Sequence, residues 1–525
     1  MRFFITLLAL LAAMGSQAQT VYDIILRNGK IMDGTGNNWY YADLAIKDGK
    51  ITAIGPSLKG TAKRELDVRG LVVAPGFIDV HTHLEGDEEK DPQATNFILD
   101  GVTTCVTGNC GSSETNIGHY LYYIDSLHLS INVAALVGHN DVRKAIMGRA
   151  NRDPNAEEQQ RMEQLVEKAM QDGAVGFSTG LIYIPGTYSK TPEVVGLAKM
   201  AAKYRGVYAS HMRDEGDSVT QAIQEALTIG REANMPVEIS HFKLSGQQNW
   251  GRSRETVPLI EAARREGIDV TIDQYPYTAS STSISTLIPD EILADGEDSI
   301  KARLQRPAVR DYVVEYILAK LKKRKLKHLS YAVVANYAPD TTYNGKSIEA
   351  INLMKGRKHK AKQEALTVID IMMNGGASAV FHGMSDEDVK RIMQYPFNMF
   401  ASDATIRVLG KGVPHPRGYG TNARVLAKYV REEKVISLEE AIRRMTSLPA
   451  QKFRLQDRGL LREGMAADIV VFDAGKVQDQ STFSDPHHYS SGFRFVIVNG
   501  QLTVDEGVHT GVRNGHALYG PGKRN

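Results

Sequence analysis

Two histidines, His81 and His83, stand one residue apart in the segment PGFIDVHTH, directly after the apolar run of residues 71–80. Residues i and i+2 of a strand point to the same side, so both imidazoles would project from one face at the strand's carboxyl end. Neutral imidazoles are common metal ligands, and two that converge supply half of a divalent metal site. The alternative is a pair of ordinary hydrogen-bonded histidines, and only the rest of the chain can decide.

Other side chains of the types that bind zinc follow further strand-like segments. Each of them alone is more often structural than catalytic. Together, on one rim of a folded domain, they would argue for a metal site. The six candidates are His81, His83, Cys110, His211, His241 and Asp403.

The elements that must position these residues alternate between strand-like and helical stretches. Eight strand-like runs are separated mostly by helical ones, which predicts a (β/α)₈ TIM-like barrel of the α/β class. In such a barrel the chemistry lies at the carboxyl ends of the strands, where the six candidates fall. The runs are residues 76–80, 102–106, 132–137, 174–178, 207–210, 237–240, 269–273 and 398–402.

Short alternating segments at both chain ends predict one small β domain built from residues 19–74 and 455–525, with the barrel over 75–454. Within the first part, Asn28-Gly29 and Asp48-Gly49 are predicted hairpin turns. Residues from about 289 to 362 break the alternation and are predicted to form an inserted subdomain near the barrel mouth. This insertion carries a basic run over residues 320–327, which is either a solvated helix face or a site for an anion or partner.

Composition excludes several classes of function. The 525 residues are 42% apolar and 24% charged, which is ordinary for a globular enzyme, and the net charge of +2 does not favour nucleic acid or an anionic membrane. Residues 1–18 resemble a cleavable secretory signal that is too short to span a membrane, so we expect an exported protein, periplasmic or secreted, without a membrane anchor.

Cys105 and Cys110 could form a disulfide after export, although their spacing at a strand end disfavours it.

A metal at the predicted rim would favour hydrolysis of an amide bond. A bound divalent ion lowers the pKa of its water and polarises a carbonyl, and an adjacent carboxylate can move the proton to a leaving amine.

The chain resembles the amidohydrolase superfamily and, within it, the D-aminoacylases, which are N-acyl-D-amino-acid deacylases. PGFIDVHTH, the later ADIVVFD segment and the split β domain carry the wider resemblance, which covers nearly the whole mature chain. The closer one rests on specific motifs: TGNCG (107–111), YIPG (183–186), SHMRDE (210–215), SHFK (240–243), YPY (275–277), SD (402–403) and HPRGYG (415–420).

The resemblance implies a role for each of the six candidates. Cys110, His211 and His241 match the ligands of a tightly bound Zn²⁺. His81, His83 and Asp403 match a second, weaker metal position. Asp403 would also be the general base and acid, whereas Cys105 lies inside a strand and is expected to be a buried structural residue.

The same resemblance implies a small-molecule substrate with a free α-carboxylate. Arg417 matches the arginine that grips this carboxylate, and Tyr183, Lys243 and Ser281 match residues that support it. Two departures are expected to reshape the pocket: Ala404 replaces the usual glycine, and the stretch from Asp403 to His415 is longer.

The sequence thus predicts a zinc-dependent hydrolase of N-acyl-D-amino acids. A dipeptidase for peptides with a C-terminal D-residue remains open. A cyclic-amide hydrolase is disfavoured, because Arg417 and Cys110 fit an open-chain substrate better. A barrel that has lost catalysis and serves as a binding protein would be expected to lack some of the ligands. The oligomeric state is not determined.

Overall fold

The computed structural model describes residues 21–523, so the predicted export signal, residues 1–18, lies outside the described residues. No helix in the described range is long and apolar enough to span a membrane. The first part of the chain forms five strands: β1 (Val21–Ile31), β2 (Tyr40–Lys47), β3 (Lys50–Gly55), β4 (Thr61–Asp67) and β5 (Val72–Pro75).

One of the two predicted hairpin turns in this region is wrong. Asp48 and Gly49 connect β2 to β3 with φ angles of 51° and 77°, as a two-residue hairpin turn requires. Asn28 and Gly29 instead lie inside β1, where the register with β2 shifts between Leu26 and Gly29. The left-handed conformation of Asn28, with φ 61°, is used there for a β-bulge, which needs the same residue types as a turn.

The next seven strands begin a parallel barrel, and each corresponds to a predicted run. Helices connect them over Thr95–Ile98, Ile117–Leu127, His139–Met147, Ala156–Asp172, Thr191–Ala202, Val219–Ala233 and Ser253–Arg265. The strands are β6 (Phe77–Asp79), β7 (Val102–Thr107), β8 (Asn132–Gly138), β9 (Gly176–Gly180), β10 (Val207–His211), β11 (Val237–Ile239) and β12 (Val270–Gln274).

The helix Ala156–Asp172 illustrates how the local sequence builds this layer. Asn155 accepts a hydrogen bond from the backbone N–H of Glu158, whose side chain accepts one from Asn155 N–H, so the two form a capping box. The helix ends at Gly173, whose φ of 114° suits glycine. Its apolar face packs into the core between helices and barrel strands through Met162, Val166, Ala169 and Met170.

The insertion follows β12 and has wider bounds than the predicted 289–362. It begins with β13 (Ala279–Ser283), which forms an antiparallel sheet with β14 (Ala332–Asn336) and β15 (Ser378–His382). Its helices have a hydrophobic core of their own, to which Ile317, Leu321 and Val368 belong. These helices are Glu297–Gln305, Pro307–Lys323, Ile348–Met354 and Ala361–Met373.

The eighth barrel strand, β16 (Asn398–Phe400), follows the helix Asp386–Met393 and pairs with β12. The barrel closes just beyond the strand ends. Asp403 N–H donates to the His81 carbonyl at 2.9 Å, and His83 N–H donates to the Ala404 carbonyl at 2.9 Å. This closure places the candidate ligands that follow the first and last strands side by side. The helices Arg417–Arg424, Leu438–Met445 and Ser447–Lys452 and a π-helix, Val425–Glu432, come next.

The last strands are β17 (Ile469–Phe472), β18 (Phe493–Val498), β19 (Gln501–Asp505), β20 (Val508–His509) and β21 (Ala517–Leu518). The first four return to the sheet begun by β1–β5, so both chain ends build one small β domain. The sheet runs in the order β20-β19-β18-β17-β5-β1-β2-β3, with β4 beside β1. The end of the chain departs from the predicted division, because β21 pairs in parallel with β8 of the barrel.

Candidate metal centre and active site

The six predicted ligands lie in one cluster at the carboxyl ends of the barrel strands. Cys110 Sγ lies 3.2 Å from His81 Nε2, 3.5 Å from His211 Nδ1 and 3.6 Å from His241 Nε2. Asp403 Oδ1 lies 3.2 Å from His83 Nε2 and 3.7 Å from His81 Nε2. These atoms come from segments more than three hundred residues apart.

The spacing of these atoms fits a shared metal ion. With zinc–ligand bonds of about 2.0 to 2.3 Å, neighbouring ligand atoms of a tetrahedral site lie about 3.5 Å apart. The observed separations of 3.2 to 3.7 Å match this value. The donor set of imidazoles, a thiolate and a carboxylate is also the one that zinc prefers. The residues therefore fit the metal that the sequence predicts.

Two carboxylates orient the imidazoles from behind, and the sequence reasoning missed both. Asp273 Oδ2 lies 3.2 Å from His81 Nδ1, which leaves His81 Nε2 facing the cluster. Glu215 Oε1 lies 3.0 Å from His241 Nδ1 as a close anion that is not aligned for a hydrogen bond, and His241 Nε2 faces Cys110. A carboxylate that accepts the second N–H of a ligand histidine, as Asp273 is placed to do for His81, fixes its tautomer and raises its basicity. Asp273 ends a predicted strand and Glu215 lies in a quoted motif, but neither position alone identified this role.

Backbone conformation aims three of the ligands. Cys110, His241 and Asp403 have φ angles of 54°, 36° and 50°, in the left-handed region that non-glycine residues rarely adopt. Such conformations cost on the order of 1–3 kcal/mol each and cluster at functional sites. Next to Cys110, Gly111 has a φ of 75°, and a Cβ there would lie 2.7 Å from the backbone nitrogen of Gly180, so only glycine allows this close turn.

The charges of the cluster stabilise its anions. Burial would raise the pKa of the Cys110 thiol, but the charges of His81 and His211 hold it well below its usual value. Burial likewise opposes ionisation of Asp403, but Arg417 and hydrogen bonding to His83 hold its pKa well below the usual range. Both groups are therefore anions, as metal ligation requires. Cys105 is also a free thiol, buried within β7, so the two cysteines form no disulfide.

A cavity of about 730 Å³ opens over the cluster. The four residues predicted to bind the substrate all line it, together with His83, Cys110, His211, His241 and Asp403. These four are Tyr183, Lys243, Ser281 and Arg417.

Arg417 lies directly beside Asp403. Its Nη1 atom is 2.8 Å from Asp403 Oδ2, yet this buried nitrogen is not aligned for a hydrogen bond with any acceptor among residues 21–523. The guanidinium stacks over the ring of Tyr275, 4.5 Å from its centroid. An N–H donor of Arg417 is therefore held in the cavity without an aligned acceptor.

Lys243 is engaged within the protein. Its Nζ atom lies 2.5 Å from Glu215 Oε1, 2.7 Å from His241 Nδ1 and 2.8 Å from the His241 carbonyl oxygen. Tyr183 and Ser281 make fewer polar side-chain contacts within the described part of the protein. The Tyr183 hydroxyl is 3.1 Å from Thr282 Oγ1, and the Ser281 carbonyl accepts a long hydrogen bond of 3.4 Å from Arg417 Nη2.

The insertion contributes cations to the cavity. From the basic run, Lys320, Lys323 and Arg324 line it. Burial, reinforced by the charge of Arg324, lowers the pKa of Lys320 to about 8. Lys322 and Lys325 are exposed. The run is therefore neither wholly a solvated face nor wholly a site, because the turn that ends the helix Pro307–Lys323 faces the cavity.

A second group of histidines and glutamates lies within the insertion. His328 Nδ1 is 2.6 Å from Glu364 Oε1, and His359 Nε2 is 2.5 Å from Glu349 Oε1. These are hydrogen-bond lengths, well below the separation of about 3.5 Å expected between ligands of one tetrahedral ion. We interpret the group as two His–Glu pairs that tie the segments of the insertion together.

Comparisons with known proteins agree with this architecture. The model of the Amidohydrolase family matches residues 64–312 and 354–504. The chain is 35% identical to the D-aminoacylase of Alcaligenes xylosoxydans xylosoxydans over 520 residues, which cover 95% of this chain and 97% of the relative.

Two solved structures are similar over 95% of this chain and 100% of their own. One is the N-acyl-D-glutamate deacylase of Bordetella bronchiseptica complexed with zinc and a phosphonate inhibitor, at 34% identity and a TM-score of 0.81. The other is a D-aminoacylase with a binuclear metal centre, at 33% identity and a TM-score of 0.80.

Proposed function

Because this chain belongs to the amidohydrolase family and is a metal-dependent hydrolase of linear amides, we propose that its substrates are N-acyl-D-amino acids. The three relatives that are 33–35% identical to it over more than 90% of its length are named as deacylases of N-acyl-D-amino acids, which supports the D-configuration. The observation that carries the proposal is the N–H donor of Arg417 beside Asp403. A carboxylate bound there would lie next to the metal cluster, as the α-carboxylate of an N-acyl amino acid lies next to its amide.

We propose one tightly held metal ion, bound by Cys110, His211 and His241, and a second, weaker position with His81, His83 and Asp403. The three ligands of the first position are buried around the single thiolate, which supports the tighter binding. When bound, a divalent ion lowers the pKa of water and polarises the amide carbonyl.

The chain's own residues then handle protons and position the substrate. Asp403, kept ionised by Arg417, is placed to accept a proton from water and to deliver it to the leaving amine. Arg417 holds the α-carboxylate, because its planar fork matches a carboxylate bidentately. Tyr183 and Ser281 line the same cavity and support this binding.

A dipeptidase for peptides with a C-terminal D-residue is the second candidate. The cavity of about 730 Å³ has room for an aminoacyl group in place of a small acyl group. A cyclic amide would leave the Arg417 donor without a carboxylate, which disfavours that class of substrate. A barrel without catalysis is disfavoured because all six ligand-type residues are in place.

One panel of substrates tests these assignments. We expect the zinc-loaded protein to hydrolyse N-acetyl-D-amino acids, and N-acetyl-L-amino acids much more slowly. Faster release from L-Xaa-D-Xaa dipeptides would instead assign the dipeptidase activity. No hydrolysis of any compound by protein that contains zinc would contradict the proposed function.

We also propose that the protein is exported after removal of residues 1–18. N-terminal sequencing of the mature protein from fractionated cells tests this, and a chain that still begins at Met1 would contradict it.

A further inference from the structure

Arg407 also lines the catalytic cavity, and it lies in the stretch between Asp403 and His415. Its Nε atom is buried without a hydrogen-bond partner. Among the described residues no carboxylate lies at ion-pair distance from its guanidinium, and its side chain makes no hydrogen bond. The guanidinium is therefore largely enclosed and unpaired.

An unpaired charge of this kind is costly. Removing a guanidinium from water without a compensating anion is strongly unfavourable, and arginine does not relieve this by losing its proton. Burial and the nearby charge of Arg417 both lower the pKa of Arg407, and the smaller opposing effects of Tyr419, Asp87 and Asp403 do not offset them. A bound anion would relieve this cost, so the arrangement favours a ligand that brings a negative charge to Arg407.

The position of Arg407 indicates where on the ligand that charge lies. Its stem passes over Gly418, where an added Cβ would come within 3.3 Å of Arg407 Cγ. Gly418 directly follows Arg417, so the two arginines are neighbours that serve one cavity. If Arg417 holds the α-carboxylate, a second carboxylate of the same amino acid would come within the region of Arg407.

We propose that Arg407 binds the side-chain carboxylate of the substrate, so that the preferred substrates are the N-acyl derivatives of acidic D-amino acids, D-glutamate or D-aspartate. This inference rests on the proposed function, which it narrows to one class of side chain.

The other cations of the cavity support an anionic substrate. Lys320 donates to the Thr286 carbonyl at 3.1 Å, and Arg324 lies over the ring of Tyr331. Within residues 21–523 neither has a carboxylate at ion-pair distance, although both line the cavity. Such a lining attracts a dianion more strongly than a monoanion.

The competing interpretation is that both arginines hold a single α-carboxylate. It predicts that loss of Arg407 lowers kcat/KM for all N-acyl amino acids by the same factor. The proposal predicts that the loss is confined to substrates with a second charge. The two interpretations therefore differ in the ratio of kcat/KM for a doubly charged substrate to kcat/KM for a singly charged one.

The test compares N-acetyl-D-glutamate with N-acetyl-D-glutamine, which has nearly the same shape but one charge fewer. We expect kcat/KM of the wild-type protein to be at least about tenfold higher for the glutamate, as a charge-assisted bidentate contact implies. Arg407→Gln should abolish that preference and change kcat/KM for the glutamine less than about threefold. Arg407→Lys should keep part of the preference.

Arg149→Gln is the matched control, because it removes the same charge from an exposed residue of the same cavity. In this variant we expect the ratio of kcat/KM for N-acetyl-D-glutamate to that for N-acetyl-D-glutamine to stay within about threefold of the wild-type value. Zinc content and the thermal unfolding midpoint of each variant check that the fold is retained. The proposal would be overturned if the wild-type protein had equal kcat/KM for both substrates. It would also be overturned if Arg407→Gln lowered kcat/KM for both substrates by the same factor.

Failure of the proposed function is distinguishable from failure of this inference. Should the wild-type protein hydrolyse none of the N-acetyl-D-amino acids, the proposed function fails. Calorimetric Kd values of N-acetyl-D-glutamate and N-acetyl-D-glutamine still test Arg407. At least tenfold tighter binding of the glutamate, lost in Arg407→Gln, supports the assignment, and equal Kd values contradict it.

Discussion

Arg417 Nη1 lies 2.8 Å from Asp403 Oδ2, but its N–H bonds do not point at that oxygen. The contact is therefore electrostatic, and it leaves the arginine free to donate to a ligand. One pair of residues thus links two tasks: Arg417 keeps Asp403 ionised and also marks where the substrate carboxylate binds. Because Arg417 and Asp403 are in contact, a substrate bound to both must have its carboxylate close to the amide that is cleaved.

Asp403→Asn is expected to lower kcat by about 10²- to 10⁴-fold, because an amide cannot move the proton between water and the leaving amine. The tightly bound metal should remain, since Cys110, His211 and His241 are untouched. Steady-state kinetics and metal analysis check both expectations. A near-normal kcat would remove Asp403 from the mechanism.

Arg417→Ala is expected to lower kcat/KM by about 10- to 100-fold for substrates with a free α-carboxylate, through loss of a bidentate charge-assisted contact. The C-terminally amidated forms of the same substrates provide the comparison, since they lack the anion and should be poor substrates of the wild-type protein. Equal activity of the wild-type protein on the acid and amide forms would argue against the carboxylate clamp.

Cys110→Ala is expected to abolish tight metal binding and activity, because Cys110 Sγ lies within 3.6 Å of a ring nitrogen of three ligand histidines. Cys105→Ala is the matched control: this cysteine is also buried but belongs to the strand core. Metal analysis after dialysis should show a metal-depleted Cys110 variant and a loaded Cys105 variant. Retention of stoichiometric metal in Cys110→Ala contradicts the ligand assignment.

Lys243→Met is expected to weaken metal binding by about 10- to 100-fold, because the Lys243 ammonium holds Glu215 and the His241 carbonyl in place. A direct role in binding the substrate would instead raise KM and leave metal affinity unchanged. Competition with a chelator measures the affinity. Lys323→Met is the control, since Lys323 lines the same cavity but pairs with Asp217.

The titration of Lys320 is expected to make kcat/KM for an anionic substrate depend on pH. Its pKa of about 8 means that it loses its positive charge as the pH rises through 8, whereas arginine at this position would stay charged. The groups that act on it are Arg324, Asp290 and Asp214. For N-acetyl-D-glutamate, the ratio of kcat/KM of the wild-type protein to that of Lys320→Arg should be constant below pH 7 and fall above pH 8. A flat ratio from pH 6 to 10 contradicts this.

The sequence by itself determined the barrel, the split β domain and the six ligand-type residues. These follow from local information: alternation over a few residues predicts each strand, and polar residues after buried runs fall on one rim of a parallel barrel. Local information failed at Asn28-Gly29, because a bulge and a hairpin turn use the same left-handed residues and differ only in what pairs with them.

Tertiary structure alone decided how the charges are paired. The sequence does not show which charges lie beside Glu215, Asp273, Lys320 and Arg407. Their roles arise from groups that are distant in the chain: Asp273 meets His81, Glu215 meets Lys243, and no carboxylate within the described part of the chain lies at ion-pair distance from Arg407. Whether a charge has a partner depends on distances of a few ångströms in a buried, low-dielectric space, and such distances are set only when the whole chain has folded.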